Sequence, residues 1–170
     1  MRPRLAAVGE AFAQLAIVVW VGGHAALGAF AARIVFAEVP RALAAPAMAR
    51  VFREFDRVIA AGVVILVLGV LARFFAGGGR RRIDFVALGS ALLLAALGVF
   101  EFAWLHPRIE QLFVAGRSVD PEFLSLHRLS ERAGHLEALF AVLFFGACSF
   151  GDLSLRRRRG SAAGSGQPSA

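Results

Sequence analysis

The chain has 170 residues, of which 58% are apolar and 18% are charged, and its formal net charge is +7. A soluble domain usually has about 45–50% apolar and about 25% charged residues, so this composition argues against a water-soluble globule and equally against disorder. The single cysteine, Cys148, excludes an internal disulfide and any multi-cysteine metal site. All 19 basic residues are arginine, a bias typical of a GC-rich bacterial genome.

Four apolar segments predict the architecture. A helix that crosses a hydrocarbon core about 30 Å thick needs about 20 mostly apolar residues. Segments at about 11–36, 58–75, 83–105 and 124–151 meet this requirement. We therefore predict an all-α, integral membrane four-helix bundle over residues 1–152, followed by a basic, disordered cytoplasmic tail at 153–170. The first segment is longer than the 7–15 apolar residues of a usual signal peptide, which favours its retention over cleavage.

Arginine clusters predict the orientation of the bundle. With four spans, the N-terminal segment, the second loop and the tail lie on one side, and together they carry the whole net charge of +7. Because clustered arginines are costly to translocate, we expect Arg80–Arg82 and Arg156–Arg159, and both termini, in the cytoplasm of a bacterial inner membrane. The predicted partners of these clusters are anionic lipid headgroups of the bilayer, not nucleic acid.

Three ionisable residues interrupt the apolar spans. His24, Glu101 and Glu137 are candidate functional residues, because an ionisable side chain left in lipid costs several kcal/mol. Simpler interpretations exist for two of them: His24 can be neutral and hydrogen-bonded to a neighbouring helix, and Glu101 can reach the membrane interface. Glu137 has no such simple interpretation.

Small residues in the spans predict close helix packing. Without a hydrophobic driving force between helices in lipid, small side chains allow the backbones to approach one another. The glycines expected at such contacts are Gly22, Gly23, Gly98 and Gly134.

The sequence gives weak indications of a metal or haem site. His127, Glu131 and His135 have i, i+4, i+8 spacing, which resembles metal ligation on a helix, but the two histidines are about 12 Å apart along the axis. Pairing of Glu131 with a histidine is the simpler interpretation. A haem would need His24 and a histidine of the third loop as axial ligands. We predict no cofactor and no enzyme activity, since no phosphate loop, HExxH or Gly-x-Ser-x-Gly motif is present.

Several short elements resemble a known family. They are Trp20-Val21-Gly22-Gly23, the segment 51–57, Pro107-Arg108-Ile109-Glu110 and Leu126-His127-Arg128-Leu129-Ser130. Over residues 10–150 the chain resembles the small bacterial four-helix membrane proteins of unknown function related to eukaryotic transmembrane protein 205. It is more loosely similar to the copper-resistance D membrane domain. The resemblance implies a four-helix membrane protein without an established activity. The family usually has an asparagine where this chain has Gly134-His135.

These observations lead to one hypothesis for the site. The candidate polar cluster combines the intramembrane residues with those of the short elements: His24, Glu101, Pro107, Arg108, Glu110, His127, Ser130 and Glu137. We expect the third loop to pack against the Gly22-Gly23 helix, with Arg108 paired to Glu101 or Glu137.

The leading functional hypothesis is a non-enzymatic membrane protein that handles a small solute or a metal ion. The alternatives are a structural or assembly factor without a ligand, and a haem- or copper-binding redox protein. A second copy of the chain and another membrane protein remain open as protein partners.

Overall fold

The computed structural model of the chain describes residues 2–76 and 82–164, without the side chains of 2–3, 41–42 and 151–164. The predicted all-α class is confirmed. The elements in chain order are α1 (Arg2–Ala26), a π-helical segment (Leu27–Ala32), α2 (Arg33–Glu38), α3 (Arg41–Ala76), α4 (Arg82–Phe100), a second π-helical segment (Glu101–Leu105), α5 (His106–Val114) and α6 (Pro121–Gly164). Arg80 and Arg81 of the predicted lipid-binding turn lie outside the described residues, as do the side chains of Arg156–Arg159.

The elements form four long rods that pack as a bundle. Four helical stretches are long and apolar enough to cross a membrane: Arg4–Glu38, Leu43–Ala76, Arg82–Val114 and Pro121–Phe150. The most extensive packing is of α1 against α3 and of α4 against α6, and contacts of α3 with α4 and of α1 with α6 close the bundle.

The helices are longer than the apolar segments that predicted them. The sequence predicted a connection between about residues 36 and 58, whereas α3 already begins at Arg41. Only Val39 and Pro40 interrupt the helical path, because a residue before proline disfavours the α conformation, and Val39 is extended at φ −112° and ψ 135°. A rod of 34 residues is about 50 Å long and thus exceeds a hydrocarbon core of about 30 Å.

The third connection is a short, well-defined turn. Gly116 at the end of α5 has φ 74°, and the N–H of Arg117 donates to the carbonyl of Leu112 at 2.9 Å. This is the glycine-terminated helix end that satisfies the last carbonyls of a helix. Pro121 then begins α6, a position where its missing N–H costs nothing.

The last helix extends beyond its predicted end. The sequence predicted disorder from residue 153, and α6 instead continues to Gly164. Leucine, arginine and alanine, which fill much of residues 153–163, have high helix propensity, and this favours continuation. Residues 165–170 of the predicted tail lie outside the described part of the chain.

Both the interior and the exterior of the bundle are apolar. The core contains Ile17, Trp20, Leu66, Leu94 and Phe144, all buried. The outward faces of every rod also carry large apolar side chains, among them Leu15, Val18, Leu68, Leu93 and Val142. A soluble monomer rarely exposes so much contiguous apolar surface, whereas lipid accommodates it.

Close backbone approaches occur at glycines. Gly9 of α1 and Gly69 of α3 face one another so closely that a Cβ on either would overlap the carbonyl of the other. Of the four glycines predicted to support packing, Gly23 accommodates Phe55 and Gly98 accommodates Trp20, whereas Gly22 and Gly134 have open space beside them.

Candidate functional site

Three of the predicted polar residues meet in the interior of the bundle. His24 extends from α1, Glu101 from the start of the second π-helical segment and Glu137 from α6, and one potential ligand atom of each lies within 4.8 Å of the others. His24 Nδ1 is 3.1 Å from Glu137 Oε2. We call these three residues the inner cluster.

The inner cluster is buried and incompletely satisfied. Glu101 and Glu137 are each 1% exposed, and His24 is 18% exposed at its side chain. Glu101 Oε2 and Glu137 Oε1 have no hydrogen-bond partner. Buried polar atoms are normally paired, so each of these oxygens calls for an explanation. Two carboxylates this close repel each other unless a proton or a cation lies between them.

The inner cluster lies near mid-height of the three rods that carry it. His24 is three residues from the centre of the stretch Arg4–Glu38, and Glu101 is three residues from the centre of Arg82–Val114. Glu137 is closer still to the centre of Pro121–Phe150. At about 1.5 Å per residue, all three lie within about 5 Å of the middle of their helices.

Two large aromatic rings pack beside the inner cluster. Trp20, one turn before His24, packs against Gly98, one turn before Glu101, so closely that a Cβ on Gly98 would overlap the ring. On another side, the Phe55 ring lies over Gly23, and its centroid is 5.2 Å from that of His24. The two glycines thus allow large rings to pack close to the helices that carry His24 and Glu101.

The second π-helical segment sets the direction of Glu101. In a π turn the hydrogen bonds run from i to i+5, and here the N–H of His106 donates to the carbonyl of Glu101. The wider turn keeps these two residues on one side of the helix. Pro107 follows directly and cannot donate a backbone hydrogen bond, a common cause of such irregularities.

A second polar layer lies beside the inner cluster, toward the end of the bundle with the connections at 39–40 and 115–120. His106 Nδ1 lies 2.7 Å from Asp56 Oδ1, and both side chains are 18% exposed. The His106 ring meets the His24 ring edge-on, with centroids 6.2 Å apart. Farther out, Arg53 of α3 pairs with Glu110 of α5.

Sequence reasoning missed Asp56 and His106. Asp56 was assigned to a connection, although it continues the buried stripe of Ile59, Leu66 and Val70 by one turn of the same helix. That periodicity could have predicted the inward position of Asp56. No sequence pattern predicts the inward position of His106, because this position depends on the π turn.

The remaining predicted residues lie away from the inner cluster. Arg108 pairs with Glu122 at 2.9 Å, on the exposed end of the bundle, and not with Glu101 or Glu137. Glu110 contacts Arg53, and Pro107 is exposed. Among the described residues, no arginine forms an ion pair with either buried glutamate.

The three residues whose spacing resembles metal ligation, His127, Glu131 and His135, lie on the outer surface of α6. His127 Nε2 is 3.8 Å from Glu131 Oε1, and both side chains are exposed. His135 is also exposed, and Ser130 is half-buried. This geometry is the Glu–His helix pairing that was the simpler interpretation of the spacing. His127 lies about 15 Å along the axis from Glu137.

A separate charged group lies at the opposite end of the bundle. Arg73 Nη1 is 3.1 Å from Glu10 Oε1, and its Nη2 is 3.6 Å from Asp84 Oδ1. Arg73 also donates to the thiol of Cys148, which is buried. The apolar core separates this group from the inner cluster.

Comparison with known proteins gives one family match. The sequence model of a domain of unknown function, DUF4149, matches residues 15–118. The matched part includes His24, Asp56, Glu101 and His106, and Glu137 follows it. No curated protein and no solved structure matches the chain significantly. The relation to transmembrane protein 205 and to copper-resistance D stays a prediction.

Proposed function

The chain belongs to the DUF4149 family, whose function is unknown, and we propose that this protein binds one divalent metal cation inside a membrane-spanning four-helix bundle. The observation that carries the proposal is the inner cluster: one imidazole and two carboxylates from three helices, with their ligand atoms within 4.8 Å of one another. Intramembrane ionisable residues are costly, and ion pathways are among the functional sites that they mark.

Charge supports a divalent ion. A cation of charge +2 neutralises Glu101 and Glu137 together, so the buried centre carries no net charge. It also gives partners to the two carboxylate oxygens that lack them. An uncompensated charge in a low-dielectric interior is strongly unfavourable, and compensation by the ion removes that cost.

Ligand chemistry narrows the identity of the ion. Imidazole and carboxylate donors suit Zn²⁺, Mn²⁺, Fe²⁺ and Co²⁺, whereas Cu⁺ prefers sulfur. Cys148 lies with Arg73 at the other end of the bundle, so it supplies no sulfur here. Two ligand atoms of one ion lie about 3–4 Å apart when the bonds are about 2.0–2.2 Å long, so small side-chain rotations bring the cluster onto an ion.

The surface and the charge pattern support the membrane setting. Exposed leucine, valine and phenylalanine side chains cover all four rods, and the arginine clusters favour a cytoplasmic location of both termini in a bacterial inner membrane. Anionic headgroups are the proposed partners of Arg156–Arg159 and of the turn before α4. The proposed role is binding, not catalysis, because the common catalytic motifs are absent from the sequence.

The proposal is tested by metal stoichiometry. Detergent-purified protein is stripped with a chelator, equilibrated with Co²⁺ and desalted, and bound metal is counted by elemental analysis. We expect one ion per chain in the wild type and almost none in Glu101→Gln or Glu137→Gln. Glu131→Gln is the matched control, since Glu131 is exposed on the helix that carries Glu137. A wild type without bound ion, or full occupancy in both cluster variants, would refute the site.

The same sample discriminates the alternatives. An optical spectrum with a haem band would support the redox alternative and contradict the proposal. A metal-free protein that co-purifies with one membrane protein would support an assembly factor.

A further inference from the structure

The second polar layer has the composition of a weaker cation site. Asp56 and His106 offer one carboxylate and one imidazole, and their hydrogen bond of 2.7 Å joins α3 to α5. Their side chains are 18% exposed, so they lie in the wall of the bundle and are neither fully buried nor free in solvent. These are the donor types of the inner cluster, with one carboxylate fewer.

The second layer adjoins the inner cluster directly. The centroids of the His106 and His24 rings are 6.2 Å apart. Exposure increases outward among the carboxylates. Glu101 and Glu137 are 1% exposed, Asp56 is 18% exposed, and Glu110 is 33% exposed at its side chain, whereas His24 and His106 are both 18% exposed.

The opposite direction is closed to a cation. Below the inner cluster, Trp20 packs on Gly98, and the buried side chains of Ile17, Leu66 and Leu94 continue the apolar core. The aliphatic side chains of this layer offer a cation no ligand atoms, and crossing them costs its hydration. The charged group beyond them, Arg73 with Glu10 and Asp84, is separated from the inner cluster by these apolar side chains.

We propose that Asp56 and His106 form an outer binding station through which the cation reaches the inner cluster, from the end of the bundle that carries the connections at 39–40 and 115–120. This inference rests on the proposed metal site and adds its direction of access. The cation exchanges solvent ligands for the Asp56 carboxylate first and for the buried carboxylates second. With both termini in the cytoplasm, this end faces the non-cytoplasmic side.

The association rate of Co²⁺ tests the station. Stopped-flow absorption of full-length, chelator-stripped protein in detergent measures how fast Co²⁺ binds, and elemental analysis measures how much is bound at equilibrium. We expect Asp56→Asn to slow association by about tenfold or more, since a fixed charge at an entrance raises on-rates by about 10–1,000-fold. His106→Gln removes the imidazole ligand of the same station and is expected to slow association as well. Both variants keep one ion per chain.

Matched controls separate entry from general damage. Glu54→Gln removes an exposed carboxylate from the helix of Asp56, and His135→Gln removes an exposed histidine from α6. Both controls are expected to bind at the wild-type rate. Asp56→Glu retains the carboxylate. We expect this variant to bind Co²⁺ at close to the wild-type rate. That result would show that loss of the charge, and not misfolding, slows association in Asp56→Asn.

The outcomes distinguish the two proposals. If the wild type binds no Co²⁺, the metal site itself is refuted. If the wild type binds one ion and both station variants bind it at the wild-type rate, only the entry route is refuted. Loss of the bound ion in Asp56→Asn would place Asp56 in the primary site and would also overturn the outer station.

Discussion

His24 Nδ1 and Glu137 Oε2 lie 3.1 Å apart, across 113 positions of sequence, in the apolar interior between α1 and α6. These two rods approach each other over a shorter length than the other neighbouring pairs, and this polar contact joins them. A hydrogen bond at this place therefore couples the helix arrangement to the site, and it predicts a measurable energetic coupling.

A double-mutant cycle measures that coupling. We expect the effects of His24→Phe and Glu137→Leu on the free energy of unfolding of the metal-free protein to be non-additive. The double variant should lose about 1 kcal/mol less than the sum of the losses in the two single variants. Unfolding in mixed micelles with increasing denaturing detergent supplies the free energies. The control pairs His24→Phe with Glu131→Leu, which is expected to be additive. Additivity in both cycles would show that the contact has no energetic role.

Packing of Trp20 on Gly98 predicts an intolerant glycine. A Cβ on Gly98 would overlap the indole ring, and overpacking of a filled core costs about 1–3 kcal/mol. We therefore expect Gly98→Ala to lower the unfolding midpoint in micelles and, in a Trp104→Phe background that leaves Trp20 as the one tryptophan, to change the fluorescence of Trp20. Gly134→Ala is the matched control, because its Cβ would meet open space. Equal stability of the two variants would contradict the packing described.

Arg73 predicts a second sensitive position, at the other end of the bundle. Its guanidinium is largely buried and pairs with Glu10 and Asp84, and removal of one partner from a buried ion pair costs about 3–5 kcal/mol. Arg73→Leu is expected to lower the free energy of unfolding by about 3 kcal/mol. Addition of Glu10→Gln is expected to recover part of this loss.

Arg57→Leu provides the control for Arg73. Arg57 lies on the same helix but is exposed and pairs with Glu54, and exposed pairs contribute about 0–1 kcal/mol. An Arg73→Leu variant as stable as Arg57→Leu would mean that the buried pairs contribute nothing. In that case, the charged group would not hold this end of the bundle together.

The four long helices were predictable from sequence because a simple rule relates them to apolar runs. A run of about 20 apolar residues is long enough to span a membrane as a helix, and each of the four runs lies within a long helix. The same rule did not predict the helix ends. An apolar run ends where polar residues begin, whereas a helix continues as far as its backbone hydrogen bonds do. For this reason the sequence analysis did not place Asp56 on a helix, although it lies on α3 just before the apolar run.

The identity of the inner residues was predictable, and their meeting was not. His24, Glu101 and Glu137 each stand out as an ionisable group within an apolar run. Their proximity depends on the rotation of three helices and on the π turn that begins at Glu101, which no local pattern specifies. Arg108 was assigned to these carboxylates because it is a nearby cation in sequence, but Glu122 lies closer on the exposed surface.

X-ray absorption spectroscopy at the zinc edge tests the central claim most directly, because it reports the atoms bound to the ion. For Zn²⁺-loaded protein, a shell of nitrogen and oxygen at about 2.0–2.2 Å with one imidazole is expected. The imidazole signature should disappear in His24→Gln and persist in His127→Gln. A sulfur ligand at about 2.3 Å, or an imidazole signature unchanged by His24→Gln, would contradict the account.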